Sequence, residues 1–133
     1  MRIVLDSSVL IAAIARPGVC TELVDEVARD HTLVLSDYIL GEVDRKLRDK
    51  FGLSAKSARS LVSGIRARSE LVKPTQIPPN VCRDPEDLAI LGTAVAAKAH
   101  LLVTVDKDLL TLGEFQRIPI IKPGDFWRRF RGA

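Results

Sequence analysis

Four acidic residues beside apolar segments are the feature of this chain that could do chemistry. They are Asp6, Glu42, Asp87 and Asp106. A lone carboxylate beside an apolar segment is costly to remove from water. Several carboxylates in one place stay ionised together only if a cation offsets their repulsion, or one of them takes up a proton. The four acids therefore predict a divalent-cation site, and all-oxygen ligands favour Mg²⁺ or Mn²⁺ over zinc.

Two of these acids follow predicted strands. Asp6 comes directly after the apolar residues 3–5, and Asp106 follows residues 101–103 after a two-residue spacer. Ligands of open parallel sheets bind beyond the carboxyl ends of the strands, where the strand order switches. If these two strands are neighbours, their spacing of about 4.8 Å brings both carboxylates to one point.

The other two acids each allow a second interpretation. Glu42 borders the buried stripe of a predicted helix and could reach a cleft at the sheet edge. It could instead be exposed and paired with Arg45 or Lys46 on the same helix. Asp87 could be a metal ligand, or an acid that only stabilises the first turn of a helix capped by Asp84.

The neighbours of the acids are ambiguous in the same way. Asp108 is either an additional acid beside the site or the cap of a short helix through residues 109–110. Arg45 and Lys46 belong to a basic run that is typical of a solvated helix face. Beside an acidic cleft, the same two side chains could position phosphates without reading base sequence.

Short apolar strands that alternate with helices predict an α/β fold with a parallel sheet covered on both faces. We expect strands at residues 3–5, 33–35, 71–72, 101–103 and 118–121. We expect a first helix that follows a cap at Ser7 or Ser8 and ends at residue 15, a second at 21–29, and a third that follows a cap at Ser36 or Asp37 and ends at about residue 50. Further helices are expected to start at Ser54, to span 86–98 after Asp84, and to span 124–131.

Length and composition narrow the class of protein. The 133 residues fit one domain, residues 1–133, and the formal charge of +3 is only weak support for a polyanionic partner. Cys20 and Cys82 form no CxxC pair, which favours a reduced, cytoplasmic protein over a zinc or disulfide framework. Asp6 interrupts the apolar start, so we expect no signal peptide, and no stretch approaches the ~20 apolar residues of a membrane span.

Four segments in this order resemble the PIN-domain nucleases, most closely the VapC-like toxins of toxin–antitoxin systems. The segments are IVLDSSVL at 3–10, LSDYILGEV at 35–43, RDPED at 83–87 and LVTVDKDLL at 102–110. The resemblance covers essentially the whole chain, including IPIIKP at 118–123. It implies a single PIN domain, a three-layer α/β/α fold with a central parallel sheet of four to five strands.

The resemblance also implies roles for residues of this chain. Matched by position, the acidic metal site comprises Asp6, Glu42, Asp87 and Asp106, with Ser8 and Thr104 as small polar neighbours and Asp108 as a frequent additional acid. The first, third and fourth of these acids would hold Mg²⁺ or Mn²⁺, while Glu42 would hold a second ion or orient water. Ser8 departs from the Asn of many members and reaches less far.

The implied activity is metal-dependent hydrolysis of single-stranded RNA by the toxin of a toxin–antitoxin pair. The implied partners are RNA, an antitoxin that covers the acidic cleft, and a second copy in a homodimer, with no membrane. A PIN nuclease of RNA processing and a non-catalytic RNA- or protein-binding module are alternatives. An aspartyl-phosphate enzyme is another, although Ser8 stands where haloacid-dehalogenase-like phosphatases usually carry a second Asp.

Overall fold

In the computed structural model, which describes residues 1–130, six strands form one mixed sheet. The strands are β1 (Arg2–Leu5), β2 (Thr32–Leu35), β3 (Glu70–Leu71), β4 (Leu101–Val103), β5 (Glu114–Phe115) and β6 (Ile118–Ile121). The helices are α1 (Ser7–Ala15), α2 (Val19–Asp30), α3 (Asp37–Asp49), α4 (Ala55–Ala67), α5 (Pro85–Ala96), α6 (Lys107–Leu112) and α7 (Pro123–Phe130).

The sheet order is β3-β2-β1-β4-β6-β5, with β1 near its middle. Every pairing is parallel except that of β5 with β6. The predicted α/β fold and its five parallel strands are confirmed. The antiparallel strand β5 was not predicted, because Glu114 and Phe115 form no apolar run of the kind that marked the other strands.

The central strands are buried on both faces. Ile3, Val4 and Leu5 of β1 are fully buried in succession, as are all three residues of β4. A strand with one face in water would alternate buried and exposed residues, so helices must cover both sides. Helix α1 packs with α2 and α3, α3 packs with α4, and α5 packs on β1.

The first residue after β1 is also the cap of α1. The Asp6 side chain accepts a hydrogen bond from the Ser7 backbone N–H, so the prediction of a Ser7 or Ser8 cap was wrong. Asp106 also caps a helix, α6, because its side chain accepts a hydrogen bond from the Leu109 N–H. The sequence analysis had considered Asp108 as the cap of this helix. These acids displace the nearby alternatives because each stands where its strand ends and the chain first turns.

The remaining boundaries differ from the predictions by a few residues. Ser36 and Ser54 cap α3 and α4, and Asp84 caps α5, as predicted. Helix α2 begins at residue 19 instead of 21, and the predicted end of α7 at Arg131 lies outside the described residues. Over residues 1–130, no helix alone has the length and apolarity to cross a membrane; only α1 and α2 taken together do, and they meet at a 116° bend.

Gly92 lets the loop before α5 pass directly against that helix. Its carbonyl oxygen accepts a hydrogen bond from the Thr75 N–H at 3.0 Å. A Cβ atom at position 92 would overlap the Thr75 carbonyl oxygen, which is backbone and cannot rotate away. The absence of a side chain at this position therefore fixes how closely the loop approaches α5.

We expect Gly92→Ala to lower the free energy of unfolding by about 1–3 kcal/mol, because the loop must move away from α5. Thermal unfolding followed by circular dichroism measures this loss. Gly64→Ala is the matched control, since a Cβ there meets nothing within 4 Å on exposed α4. In that control the free energy of unfolding should rise by up to about 1 kcal/mol, because Ala has a higher helix propensity than Gly. A Gly92→Ala protein as stable as the wild type would contradict the close approach.

Candidate metal centre

A cavity of about 110 Å³ opens beyond the carboxyl ends of β1 and β4. This acidic cavity is lined by Asp6, Ser7, Ser8, Glu42, Lys46, Asp84, Glu86, Asp87, Ile90, Val105 and Asp106. The four acids singled out in the sequence therefore meet at one place, and the strands that precede two of them are neighbours, which is the condition on which their meeting depended. The volume suits an ion with a few water molecules.

Asp6 is buried and held by four donor groups. Its Oδ2 accepts from Thr104 Oγ1 at 2.7 Å and from Ser8 Oγ at 3.3 Å. Its Oδ1 accepts from the Ser7 N–H at 2.6 Å and from the Ser7 hydroxyl at 3.4 Å. Burial raises the pKa of Asp6, while these hydrogen bonds and the nearby Lys46 charge lower it. The carboxylate is therefore fixed in orientation by its neighbours.

Thr104 and Ser8 join the ends of β1 and β4. Thr104 Oγ1, which donates to Asp6, also accepts from the Asp106 N–H at 3.0 Å. Ser8 Oγ accepts from the Val105 N–H at 3.4 Å while it donates to Asp6. The two small polar residues thus lie beside the acids, at the places the sequence assigned to them, and couple the positions of Asp6 and Asp106.

Asp87 is the third residue of α5 and is only 5% exposed. Its Oδ2 is buried and has no hydrogen-bond partner among the described residues. Burial raises the pKa of Asp87 to about 7, and the charges of Asp106, Asp84 and Asp6 add to the rise. A buried oxygen without a partner costs free energy. A cation in the cavity would satisfy this oxygen.

Asp87, Asp106 and Asp108 form an acid trio that fits one ion. One oxygen from each lies within 4.8 Å of the others. Two oxygens on one Mg²⁺ can be about 4.2 Å apart at most, so small side-chain rotations suffice. Two carboxylates at this separation repel by about 3 kcal/mol at an effective dielectric near 20, which a cation would offset. Asp108 also forms an ion pair with Arg83 at 3.2 Å.

Glu42 is buried, 4% exposed, so the interpretation as an exposed glutamate was wrong. Its Oε1 accepts from the Ser7 hydroxyl at 3.4 Å, and its Oε2 lies 3.6 Å from the Arg45 guanidinium. Burial raises the pKa of Glu42, against the lowering effect of the Lys46 charge. Arg45 is half exposed and also pairs with Glu86 at 3.4 Å. Asp6 and Glu42 thus lie in the cavity but outside the acid trio.

Sequence reasoning missed Ser7 and Glu86 as parts of the site. Ser7 touches both Asp6 and Glu42, and Glu86 lines the cavity and pairs with Arg45. The only sequence signal for Ser7 was its place next to Asp6, which equally suits a helix cap. Glu86 sits in the first turn of α5, where an acid is favourable whether or not a ligand is near.

Comparisons with known proteins identify the family and the fold. A family model described as "PIN domain" matches residues 2–108. The fold is similar to a VapBC2 structure from Rickettsia felis bound to a DNA fragment from their promoter, with a TM-score of 0.66, 16% identity, and coverage of 92% of this chain and 98% of that one. It is also similar to VapBC-1 from nontypeable Haemophilus influenzae, with a TM-score of 0.64, 19% identity, and coverage of 93% and 99%. No curated protein sequence matches.

We expect Asp87→Asn to stabilise the metal-free protein at pH 8. The raised pKa means that the folded state keeps a proton which the unfolded state loses, so stability falls as the pH rises from about 4 to about 7. The amide of Asn carries no charge and removes this loss. We therefore expect the free energy of unfolding to rise by at least about 1 kcal/mol, which raises the Tm by a few degrees. Differential scanning calorimetry without metal measures the change.

The same variant should lose most of the thermal stabilisation that millimolar Mg²⁺ gives the wild type, because a ligand of the ion is gone. Exposed Asp49→Asn, which makes the same change at the end of α3, should behave as the wild type in both measurements. An Asp87→Asn protein that is less stable at pH 8 and still responds fully to Mg²⁺ would contradict this account of Asp87.

Proposed function

This chain belongs to the PIN-domain family, and we propose that it is a metal-dependent endoribonuclease that hydrolyses phosphodiester bonds of single-stranded RNA. The observation that carries the proposal is the buried Asp87 Oδ2, which has no hydrogen-bond partner within residues 1–130 and belongs to an acid trio beyond the ends of β1 and β4. An acid cluster of this kind is repulsive without a cation, and an oxygen-only donor set suits Mg²⁺ or Mn²⁺.

The ion would be held by Asp87, Asp106 and Asp108, with Asp6 beside them in the cavity. A divalent ion there would lower the pKa of water and offset charge on a phosphoryl oxygen. The hydrogen bonds from Thr104 and Ser8 hold Asp6 in one orientation before substrate arrives. Such preorganisation limits the rearrangement that the reaction itself must bring about.

We assign to Glu42 the role of orienting the attacking water. It lies in the same cavity as Asp6 but outside the acid trio, and the Ser7 hydroxyl and Arg45 contact its two oxygens. Because burial raises the pKa of Glu42, this carboxylate accepts a hydrogen bond or a proton from water more readily than an exposed glutamate. Phosphodiester cleavage needs such an acceptor on the side opposite the leaving oxygen.

The opening of the cavity has basic side chains that could hold the RNA backbone. Arg45 is half exposed beside Glu42, and Lys46 lines the cavity itself. Cations at such positions fix the register of a phosphate chain without reading its bases. The resemblance to VapC-like toxins supports RNA over DNA as the substrate, and the cleavage assay compares the two.

We expect the wild type to cleave single-stranded RNA with Mg²⁺ or Mn²⁺ and to stop on addition of EDTA. Asp6→Asn should lower the cleavage rate at least about 100-fold, because the amide keeps the shape but not the charge. Gel analysis of end-labelled RNA measures the rate, with Asp49→Asn as a control that should match the wild type.

Equal cleavage by Asp6→Asn and the wild type would exclude the acidic cavity as the active site. Cleavage of a single-stranded DNA of the same sequence at the same rate would exclude RNA specificity. Tight RNA binding without metal-dependent cleavage would instead support a non-catalytic RNA-binding module.

We further propose that the protein is a cytoplasmic toxin that acts as a homodimer with a cognate antitoxin. The resemblance to VapC-like toxins and the likeness of the fold to two VapBC structures support this assignment.

Controlled expression of the wild type should stop growth of a bacterial host, whereas Asp6→Asn at equal protein level should not. Undiminished growth with active, soluble wild type would favour a nuclease of RNA processing, and a light-scattering mass of one chain at micromolar concentration would exclude the dimer.

A further inference from the structure

The charges around the acidic cavity are unequal in number. Six carboxylates line it, and Lys46 is the one basic residue that does so within residues 1–130. Arg45 precedes Lys46 on α3 and does not line the cavity, but it pairs with two carboxylates that do, Glu42 at 3.6 Å and Glu86 at 3.4 Å. Lys46 therefore places the only ammonium group of the described residues at the cavity wall.

The position of Lys46 follows from the helix that carries it. Lys46 lies four residues after Glu42 on α3, so the two side chains share one face of the helix. That face adjoins the start of α1, where the Ser7 hydroxyl lies 3.4 Å from both Asp6 Oδ1 and Glu42 Oε1. Lys46, Glu42 and Asp6 therefore line one cavity together.

The carboxylates of the cavity therefore fall into two groups with different partners. The acid trio of Asp87, Asp106 and Asp108 has oxygens close enough to share one ion. The inner pair, Asp6 and Glu42, lies outside this trio; Lys46 lines the cavity with both of them, and Glu42 also pairs with Arg45. An ammonium group and a divalent ion compete for the same carboxylates, because each is stabilised by the same negative charge.

We propose that the Lys46 ammonium takes the place of a second metal ion, so that the acid trio binds one divalent cation and Lys46 balances the charge of Asp6 and Glu42. Two-metal nucleases use two ions about 3.5–4 Å apart to hold the attacking and leaving oxygens. Here one of those positive charges belongs to the protein. Lys46 is a positioning residue whose charge keeps a second ion out of the cavity.

This inference rests on the proposed metal site, but metal counting tests it without any nuclease assay. Isothermal titration with Mn²⁺, checked by electron paramagnetic resonance of bound Mn²⁺, should give one ion per wild-type chain. Lys46→Met removes the charge and keeps an unbranched side chain, and it should bind two ions. Lys46→Arg keeps the charge and should bind one.

Lys50→Met is the matched control, because Lys50 caps the end of the same helix, is exposed and does not line the cavity. It changes the net charge equally, so it should still bind one ion. Circular dichroism of each variant verifies that the fold is kept. If Lys46→Met does not fold, Lys46→Gln removes the same charge with a polar side chain and should likewise bind two ions.

The outcomes separate this inference from the function on which it rests. Two ions in the wild type, or one ion in a folded Lys46→Met protein, would overturn the role of Lys46 and leave the nuclease proposal standing. No ion in the wild type up to millimolar Mn²⁺ would overturn both. Cleavage supports the inference if its dependence on Mn²⁺ concentration is about first order in the wild type and steeper in Lys46→Met.

Discussion

The parallel pairing of β1 with β4 is the constraint from which the site follows. Leu5 lies opposite Val103 in this register, so the two chains leave the sheet side by side. The Asp6 N–H donates to the Val103 carbonyl oxygen at 3.0 Å and extends the pairing one step beyond the strands. The Thr104 hydroxyl then meets the Asp6 carboxylate. A shift of this register by one residue would turn every β4 side chain to the other face and separate these two groups.

Burial makes this arrangement costly, and the helices offset part of the cost. Asp6, Asp84 and Asp106 each cap a helix that begins at the cavity. The free N–H groups and partial positive charge of a helix start stabilise a carboxylate. Asp87 receives less help, since its Oδ2 has no partner among residues 1–130. Backbone N–H groups at the helix starts therefore stabilise three of the carboxylates, and the Asp87 Oδ2 is left for a ligand.

The sequence predicted the framework well because the framework depends on local patterns. The apolar triplets of β1 and β4 need only their own composition to be recognised, and Asp84 before Pro85 is a strong helix start. The meeting of the four acids was also predicted, but only through strand order and family resemblance. Asp6 as the cap of α1 was missed because Ser7 and Ser8 are equally good capping residues.

What could not be predicted depends on contacts between distant segments. The close approach of Asp108 to Asp87 depends on where α6 starts relative to α5, and no local pattern records that distance. The burial of Glu42 depends on how α3 packs beside α1, since its sequence neighbours Arg45 and Lys46 suit an exposed pair just as well. The proposed roles of these residues in metal binding and hydrolysis stay predictions until the ion is measured.

The double use of Asp6 and Asp106 has a consequence for how such a protein could change over generations. A side-chain amide retains an oxygen that can cap a helix, so an Asn at either position keeps the start of α1 or α6 while the negative charge disappears. Replacement by Ala removes both the cap and the charge. One kind of substitution therefore silences the chemistry in an intact scaffold, and an inherited copy of this fold can pass from enzyme to binding protein without an unfolded ancestor in between.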